Sequence, residues 1–375
     1  MRRQHIIAEM QTAGRAFIRQ VLPVETTCTL RYNAASTAYL TVKDTHPVVP
    51  QLMDDGIRAA VWMVTVDGNT LTRKRLLEGV VGDPAGEGPY GTVTFPVIDD
   101  FNRLNEILGW QKPSAPITAQ TDEYARYTGP SETRALAAIA AAKARLALSW
   151  DLPASVGRGT TGTTEFRMDP LVRLIDALNA DRLQLTIQRN PDTDRWVVAI
   201  TEGTTYARPL TPQSGVLSGW RWNKQRPKAT RAAVGGAGEG VARAFKLVTD
   251  PTLEAQLQRI IEIFVDARQA EAGADLTPNG TQALTDAAAK AGITATLRET
   301  SWFRFPDAYD LGTRVSIQVG AFAAEDVITE IEIKHAARTG FTVTPKVGFA
   351  TNDPQQRLTQ FVAGLASSVR SLERR

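Results

Sequence analysis

Short runs of β-branched and aromatic residues, closely spaced and punctuated by turn-forming residues, dominate the first hundred positions. Four of these runs are Thr27–Arg31, Ala38–Val42, Ala59–Val66 and Thr70–Val80. Clusters of Asn, Asp, Ser, Gly and Pro separate them, and such clusters favour turns between strands. Many short strands at this spacing are typical of a β-barrel or a β-sandwich.

The middle of the chain has a different pattern. An alanine-rich run from Pro130 to Leu148 predicts a helix, with proline and glutamate suited to its first turn. A shorter helix is expected after Asp169. Alternating apolar residues at 183–187 and 196–200, with a turn between them, then predict a β-hairpin. This region is therefore expected to be α+β.

After Tyr206 the strand pattern returns, interrupted by helices near Leu253 and Thr277. The predicted fold class is α+β and β-rich, with two barrel-like β domains flanking a smaller α+β insert. The expected domains are 1–110 (β-barrel-like), 111–205 (α+β), 206–350 (second β-rich, barrel-like, with a helical insert) and 351–375 (an amphipathic helix).

Composition limits the possible chemistry. The chain has 375 residues, 43 Lys and Arg against 40 Asp and Glu, one cysteine and three histidines. A single cysteine permits no disulfide within the chain, and three scattered histidines give no metal-ligand spacing. The sequence has no run of about 18 apolar residues and no signal-like apolar stretch near its start. We therefore expect no cofactor, no metal site, no membrane-spanning segment and synthesis in a cytoplasm.

Adjacent carboxylates at Asp99 and Asp100 are a candidate acid–base pair. Neighbouring residues of an extended chain point in opposite directions, which argues against a shared substrate atom. The favoured interpretation is structural: Asp100 is predicted to cap the following helix by accepting backbone N–H bonds.

A glycine-rich segment contains Gly235, Gly236, Gly238 and Gly240. Phosphate-binding loops are also rich in glycine, but they continue into Lys-Ser or Lys-Thr and a helix, and this segment continues into a strand-like run. A tight hairpin or bulge between two strands is therefore predicted.

The strongest local charge bias follows two tryptophans. The residues are Trp220, Arg221, Trp222, Lys224 and Arg226. Tryptophans two apart on a strand share a face, so they are predicted to lie in a core or a protein interface. Contact with nucleic acid or glycan is the alternative, since aromatic faces and cations can stack bases and neutralise phosphates.

Three histidines and the cysteine have no neighbours at catalytic spacing. His5, His46 and His335 are interpreted as ordinary surface or core residues, and Cys28 as a small buried apolar residue. Hydrolase signatures such as G-x-S-x-G and H-E-x-x-H are not present in the sequence. We therefore assign no catalytic residue.

The final segment is predicted to be an amphipathic helix capped by Asp353. Its apolar stripe is expected to dock on the same subunit or on a neighbour. The stripe consists of Leu358, Phe361, Val362, Leu365, Val369 and Leu372.

An ordered set of short motifs resembles the siphophage minor tail protein family, which forms tail-tip or baseplate hubs, notably in phages of actinobacteria. The motifs run from residue 30 to residue 348. They are Leu30-Arg-Tyr-Asn, Asp44-Thr-His-Pro, Leu77-Glu-Gly, Gly91-Thr-Val-Thr-Phe, Asp99-Asp, Thr128-Gly-Pro-Ser-Glu-Thr, Val234-Gly-Gly-Ala-Gly-Glu-Gly, Phe264-Val-Asp-Ala-Arg, Glu299-Thr, Tyr309-Asp-Leu-Gly-Thr-Arg-Val and Thr344-Pro-Lys-Val-Gly.

This resemblance implies a structural virion protein at the tail tip, assembled as a homotrimer. It further implies contacts with the tail tube or distal tail protein and with other tail-tip or fibre proteins, and a channel through which DNA passes without specific binding. Two similar barrels in each of three subunits would present a pseudo-sixfold ring to a hexameric tube. The alternatives are a tail-associated cell-wall hydrolase, since dispersed acid pairs are invisible in sequence, and a tail module that binds glycan or nucleic acid.

Overall fold

The computed structural model describes residues 2–88, 91–190, 192–268, 270, 273–288, 290–336 and 339–348. Its first part contains eight strands, four of which coincide with the four strand-like runs named above. The strands are β1 (Arg3–Gln11), β2 (Phe17–Val21), β3 (Glu25–Arg31), β4 (Thr37–Lys43), β5 (Arg58–Asp67), β6 (Thr70–Val81), β7 (Ala85–Glu87) and β8 (Thr92–Asp99).

Helices and short strands alternate in the next part. The elements are α1 (Arg103–Glu106), β9 (Leu108–Gly109), β10 (Ala125–Pro130), α2 (Ser131–Leu146), β11 (Trp150–Asp151), β12 (Thr161–Phe166), β13 (Asp169–Pro170), α3 (Ile175–Ala180), β14 (Leu183–Arg189) and β15 (Trp196–Glu202). The predicted hairpin is β14–β15, in which Leu185 lies opposite Ile200.

Strands predominate again in the last part. The elements are β16 (Leu217–Gln225), β17 (Arg231–Gly235), β18 (Phe245–Thr249), α4 (Pro251–Leu257), β19 (Glu262–Asp266), α5 (Thr277–Ala287), β20 (Lys290–Leu297), β21 (Arg314–Val319), β22 (Phe322–Ala336) and β23 (Gly340–Val347). Five 3-10 turns over 49–53, 100–102, 117–119, 171–174 and 212–214, and a sixth over 240–242, complete the described structure.

One sheet contains strands from both ends of the sequence. Its order is β16-β20-β23-β22-β3-β4-β8-β6-β5-β1-β2, with β21 paired to β22 and β7 paired to β8. The central link is the antiparallel pair of β22 and β3, in which Ile331 lies opposite Leu30 and Ile333 lies opposite Cys28. Residues three hundred positions apart in sequence are therefore direct neighbours.

The β-rich α+β character is confirmed, but two barrel-like domains are not found. Within the described part of the chain, the strand order of the large sheet ends at β2 on one side and at β16 on the other, so the sheet is open. The two β-rich sequence regions share this sheet. Alternation of apolar residues reports which face of a strand is buried, but it does not identify the neighbouring strand, which explains the difference.

Contacts divide the chain into two units. The first comprises residues 1–220 and 294–349, and the second contains residues 221–293. The predicted divisions at 110, 205 and 350 concern folding units and stay a prediction. The chain leaves the first unit along β16 and returns along β20.

Within the first unit, the α+β region has its own apolar core. Helix α2 contributes Ala135 and Ile139, α3 contributes Leu178 and β14 contributes Leu185, all of which are buried. Trp150 of β11 lies in the same cluster and is 1% exposed. A helix layer therefore covers one face of the sheet formed by β11, β15 and β14.

The described residues contain no helix long and apolar enough to cross a membrane. They also contain no group of three or more His, Cys, Asp or Glu side chains arranged to hold a metal ion.

Candidate functional site

Asp100 is the centre of a buried polar cluster in the first unit. Its Oδ2 accepts a hydrogen bond of 2.6 Å from Arg58 Nη2, and both side chains are 4% exposed. The same oxygen accepts a 2.9 Å bond from Trp196 Nε1, and Oδ1 accepts a 3.4 Å bond from Arg103 Nε. Charge-assisted bonds of this kind are stronger than neutral ones.

The predicted capping role of Asp100 is wrong. Asp100 is the first residue of a 3-10 turn that precedes α1, and no side-chain cap bond is made at the start of either helix. Its carboxylate is turned towards three side-chain donors from β5, α1 and β15 instead. Three such donors, one of them a buried guanidinium, satisfy the buried charge better than a single backbone N–H.

Trp196 is held between two guanidinium groups. Arg15, in the turn between β1 and β2, has its Cζ 3.8 Å from the centroid of the indole, and Arg103 lies 4.2 Å from it. Arg15 also forms a 2.5 Å ion pair with Asp194, which in addition bonds Arg189. Cations over an indole face are attracted by the ring quadrupole. We call Arg15, Arg58, Asp100, Arg103 and Trp196 the Asp100 junction.

A second link lies at the other end of β14. Asn33, in the turn between β3 and β4, donates from Nδ2 to the carbonyl of Leu183 at 2.8 Å, and its Oδ1 accepts the amide of Leu185 at 2.7 Å. Asn33 is 4% exposed and has a φ of 51°, a conformation that Asn tolerates better than most residues. The side-chain amide thus pairs with β14 much as a neighbouring strand would.

A cavity of about 460 Å³ lies between these two links, against β6 and β14. In its wall, Glu78 pairs with Arg75 at 2.9 Å and with Arg189 at 3.4 Å. Asp99 also lines the cavity, and burial raises its pKa to about 7, with the neighbouring charge of Asp100 adding to the rise. The cavity is therefore polar, and its wall carries acidic and basic side chains close to one another.

The ion pairs around this cavity hold elements of the fold together. Asp100 and Glu78 are each bound by at least two cationic groups, and those bonds join the large sheet to the α+β region. An acid–base catalyst needs a carboxylate that can reach a substrate, whereas the carboxylates of Asp100 and Glu78 are paired with arginines. The Asp100 junction fixes the orientation of β14 and β15 relative to the large sheet.

The predicted tryptophan-rich segment forms β16, which is the edge strand of the large sheet among the described residues. Trp220 is 40% exposed and Trp222 is 52% exposed, so neither belongs to the core of the subunit. Arg221, Lys224 and Arg226 are also exposed. A place in the core of the subunit is therefore excluded for these tryptophans, and a protein interface or contact with nucleic acid or glycan remains.

The glycine-rich segment joins β17 to β18, which are antiparallel neighbours. Gly238 has a φ of 104°, and a Cβ added there would lie 2.7 Å from the carbonyl oxygen of Ala242. Gly236 has no such backbone requirement, but an added Cβ would lie 2.8 Å from Leu276 Cδ1. The backbone therefore favours glycine at position 238, whereas at position 236 a larger residue would require the Leu276 side chain to shift. Gly235 and Gly240 belong to the same connection.

Other predicted residues have simpler outcomes. Cys28 is fully buried in β3, as a small apolar residue would be. The rings of His5 and His335 meet edge to face at 5.8 Å, and His46 Nδ1 accepts the backbone amide of Val48. The predicted C-terminal helix, including Asp353, Leu358, Phe361 and Leu365, lies outside the described residues.

Sequence reasoning missed Asn33, Arg58, Arg15 and Trp196. Asn33 and Arg15 lie in turns, where polar residues are expected for local reasons, and nothing in the local pattern reveals a distant partner. Arg58 was the most detectable, because it begins a strand whose next eight residues are almost all apolar. A charge at the start of a buried strand needs a counter-charge.

Several solved structures of tail proteins have a fold similar to that of this chain. The 43 kDa tail protein of prophage MuSo2 from Shewanella oneidensis superposes with a TM-score of 0.55 at 12% identity, covering 92% of this chain and 98% of that one. Prophage tail protein gp18 from Listeria monocytogenes gives 0.53 at 12% identity, with 98% and 99% covered. A tail protein from Neisseria meningitidis gives 0.51 at 11% identity, with 92% and 97% covered.

These likenesses extend over nearly the whole of each protein, so the fold is that of phage tail proteins. A search of proteins with curated descriptions found no matching sequence. The sequence model of one family, described as Siphovirus ReqiPepy6 Gp37-like protein, matches residues 23–349. Because that match covers most of the chain, the protein belongs to the siphovirus ReqiPepy6 Gp37-like family.

Proposed function

We propose that this chain is a structural component of a siphophage virion, a trimeric hub at the tail tip that connects the tail tube to distal components. The observation that carries the proposal is the family match over residues 23–349, together with a tail-protein fold that spans the chain from end to end. The ion pairs of Asp100 with Arg58 and of Glu78 with Arg189 support it as well, since they hold elements of the fold together.

Subunit contacts are proposed at β16. A threefold ring needs two different surfaces that fit each other, because its interfaces are heterologous. Tryptophan and arginine are enriched where protein interfaces are buried, and β16 exposes Trp220, Arg221 and Trp222 on an edge strand. An edge strand also offers backbone hydrogen bonds to a neighbour.

The partners follow from this position in the virion. The hub contacts the tail tube or distal tail protein on one side and other tail-tip or fibre proteins on the other. Phage DNA passes through the central channel and is not bound specifically there. The protein is made in the cytoplasm of the bacterial host and is then built into the tail tip.

The test is the mass of the purified protein by light scattering. A trimer has three times the subunit mass of 40.8 kDa. The variant Trp220→Ala should shift the protein towards monomers, and Leu71→Ala is the matched control, because Leu71 is also exposed, at 63%, but lies on β6. A monomeric wild-type protein, or equal loss of trimer in both variants, would contradict the proposal.

The same strand supports a second candidate function. Exposed tryptophans beside Arg221, Lys224 and Arg226 also suit contact with a polyanion. Affinity for DNA that falls steeply with salt would favour that function over a subunit contact. A zymogram on host cell wall tests the remaining alternative, since a zone of clearing would indicate a hydrolase.

A further inference from the structure

A long loop between β9 and β10 forms one wall of a groove in the first unit. The loop runs over residues 110–124, and its regular structure is a short 3-10 turn at 117–119. Loops of this length are uncommon in compact domains and often bind ligands. Helix α2 and the start of β10 complete the lining, and the groove has a volume of about 820 Å³. That volume lies within the range of small-molecule binding sites.

The side chain of Gln120 holds this loop in shape. Its Oε1 accepts the backbone amide of Lys112 at 2.8 Å. Its Nε2 donates at 3.1 Å to the carbonyls of Lys112, Ala115 and Pro116. Pro113 and Pro116 restrict the backbone further, because the proline ring fixes φ. The loop is therefore closed on itself, and a preorganised wall of this kind loses little conformational entropy when a ligand binds.

Aromatic rings line the groove on the loop side and on β10. They belong to Trp110, Tyr124 and Tyr127. Arg145 of α2 fixes the position of the indole, because its Cζ lies 4.3 Å from the centroid of the Trp110 ring and its Nη2 donates to the carbonyl of Leu108 at 2.8 Å. Tryptophan and tyrosine each combine an apolar ring with a polar group, so they suit ligands that are themselves amphipathic.

Polar side chains lie beside these rings. Gln111 and Asp122 come from the loop, and Arg126 comes from β10. Arg126 donates to Glu165 from Nε at 2.8 Å, and its terminal amino groups bond no residue in the part of the chain that the structure describes. The side chain of Asp122 is 53% exposed. Planar carboxylate and guanidinium groups of this kind can each form two hydrogen bonds with one ligand.

A pyranose ring has chemistry that matches this lining. Its C–H bonds pack on an aromatic face, and its hydroxyls both donate to carboxylates and accept from guanidinium groups. Nucleic acid fits less well, because Asp122 lines the groove and Arg126 is paired with Glu165, so the lining does not offer unbroken positive charge. A purely apolar ligand would cover the polar groups without bonding them.

We propose that this groove binds an oligosaccharide built of pyranose rings, of the kind found in bacterial cell walls. Trp110 and Tyr124 would stack on the sugar rings, and Asp122 and Arg126 would bond the hydroxyls. The groove belongs to the α+β region and is a different site from the tryptophans of β16. The inference goes beyond the proposed hub function and does not depend on it.

Calorimetric titration of the full-length protein with polysaccharide released from the host cell wall measures this binding. We expect saturable binding that Trp110→Ala and Tyr124→Ala each weaken about tenfold or more, because stacking on an aromatic ring contributes much of the affinity. Trp302→Ala is the matched control, since Trp302 is 39% exposed and does not line the groove, and its affinity should equal that of the wild type.

A second pair of variants keeps all the aromatic residues, so it decides the matter even if truncation of Trp110 prevents folding. Ala141→Phe places a ring in the groove and should abolish binding. Ala140→Phe adds the same ring at an exposed position of α2 that does not line the groove, and it should leave the affinity unchanged. Circular dichroism confirms that both variants keep the helix content of the wild type.

Chemical treatment of the wall sample identifies what is bound. Periodate cleaves the vicinal diols of sugars and leaves peptide bonds intact, so it should abolish binding, whereas digestion with a protease should not change it. Three results would overturn the proposal. They are binding that survives periodate, equal affinities in the groove variants and their controls, and no binding of the untreated polysaccharide to the wild type.

Discussion

Removal of the charge on Asp100 should destabilise the first unit strongly. In Asp100→Asn the side chain keeps its size, but Arg58 loses the counter-charge 2.6 Å away while its own side chain remains 4% exposed. Breaking a buried ion pair by removing one partner costs about 3–5 kcal/mol. Because the amide oxygen can still accept bonds from Arg58 and Trp196, we expect about 3 kcal/mol, measured by urea unfolding followed by circular dichroism.

A control variant and a double-mutant cycle separate the effect of the buried ion pair from that of a surface pair. Glu165→Gln breaks the exposed pair with Arg126, whose side chains are 42% and 51% exposed, and should cost less than about 1 kcal/mol. Arg58→Met combined with Asp100→Asn should be less destabilised than the sum of the single variants by about 2 kcal/mol. A cost for Asp100→Asn no larger than that for Glu165→Gln would refute the role of the Asp100 junction.

Three further predictions concern other positions. Burial raises the pKa of Asp99 to about 7 in the folded protein, above its value of about 4 in the unfolded chain. The folded protein therefore binds this proton more tightly than the unfolded chain does. The stability that the protonated carboxyl contributes should be lost as the pH rises from about 4 through 7. The urea concentration at the unfolding midpoint should therefore rise in Asp99→Asn relative to the wild type over that pH range. A difference between the two midpoints that does not change with pH would contradict the raised pKa of Asp99. Gly238→Val should lower the free energy of unfolding by about 1–3 kcal/mol, measured by thermal unfolding, because Gly238 has a φ of 104° and its added Cβ would lie close to the Ala242 carbonyl oxygen. Gly219→Val is the control and should be tolerated better, because a Cβ added at Gly219 meets no atom within 4 Å. Equal effects would show that the turn is not constrained. Trp220→Ala should leave the fold of the subunit intact, because Trp220 is 40% exposed: the monomers that this variant forms should keep the circular dichroism spectrum of the wild type. Loss of that spectrum would instead indicate a core role.

Local pattern was sufficient to predict most elements. Helix α2 follows from its alanine-rich run and early Pro130, and the β14–β15 hairpin follows from alternation on both sides of a turn. The helix predicted near Leu253 is α4, which Asp250 caps by accepting the amide of Leu253, and strand β19 follows it. In each of these, the information lies within about fifteen residues.

Long-range pairing was not accessible in the same way. Nothing in the sequence of β3 identifies β22 as its neighbour, since any strand of matching alternation fits equally well. The same reason applies to the candidate site. Asp100 was singled out from the sequence as a helix cap, but its side-chain partners Arg58 and Trp196 are 42 and 96 residues away. Local rules therefore favoured a cap, which is the nearest available use of an aspartate.

The central claim is that three copies of this chain form a hub at the tip of a siphophage tail. Electron cryo-microscopy of virions that carry a labelled form of this chain tests it most directly. The account predicts three labels around the tail axis at the end distal to the capsid, with density that fits the open sheet and the α+β region in each copy. Label at the capsid, along the length of the tube or missing from purified virions would contradict it.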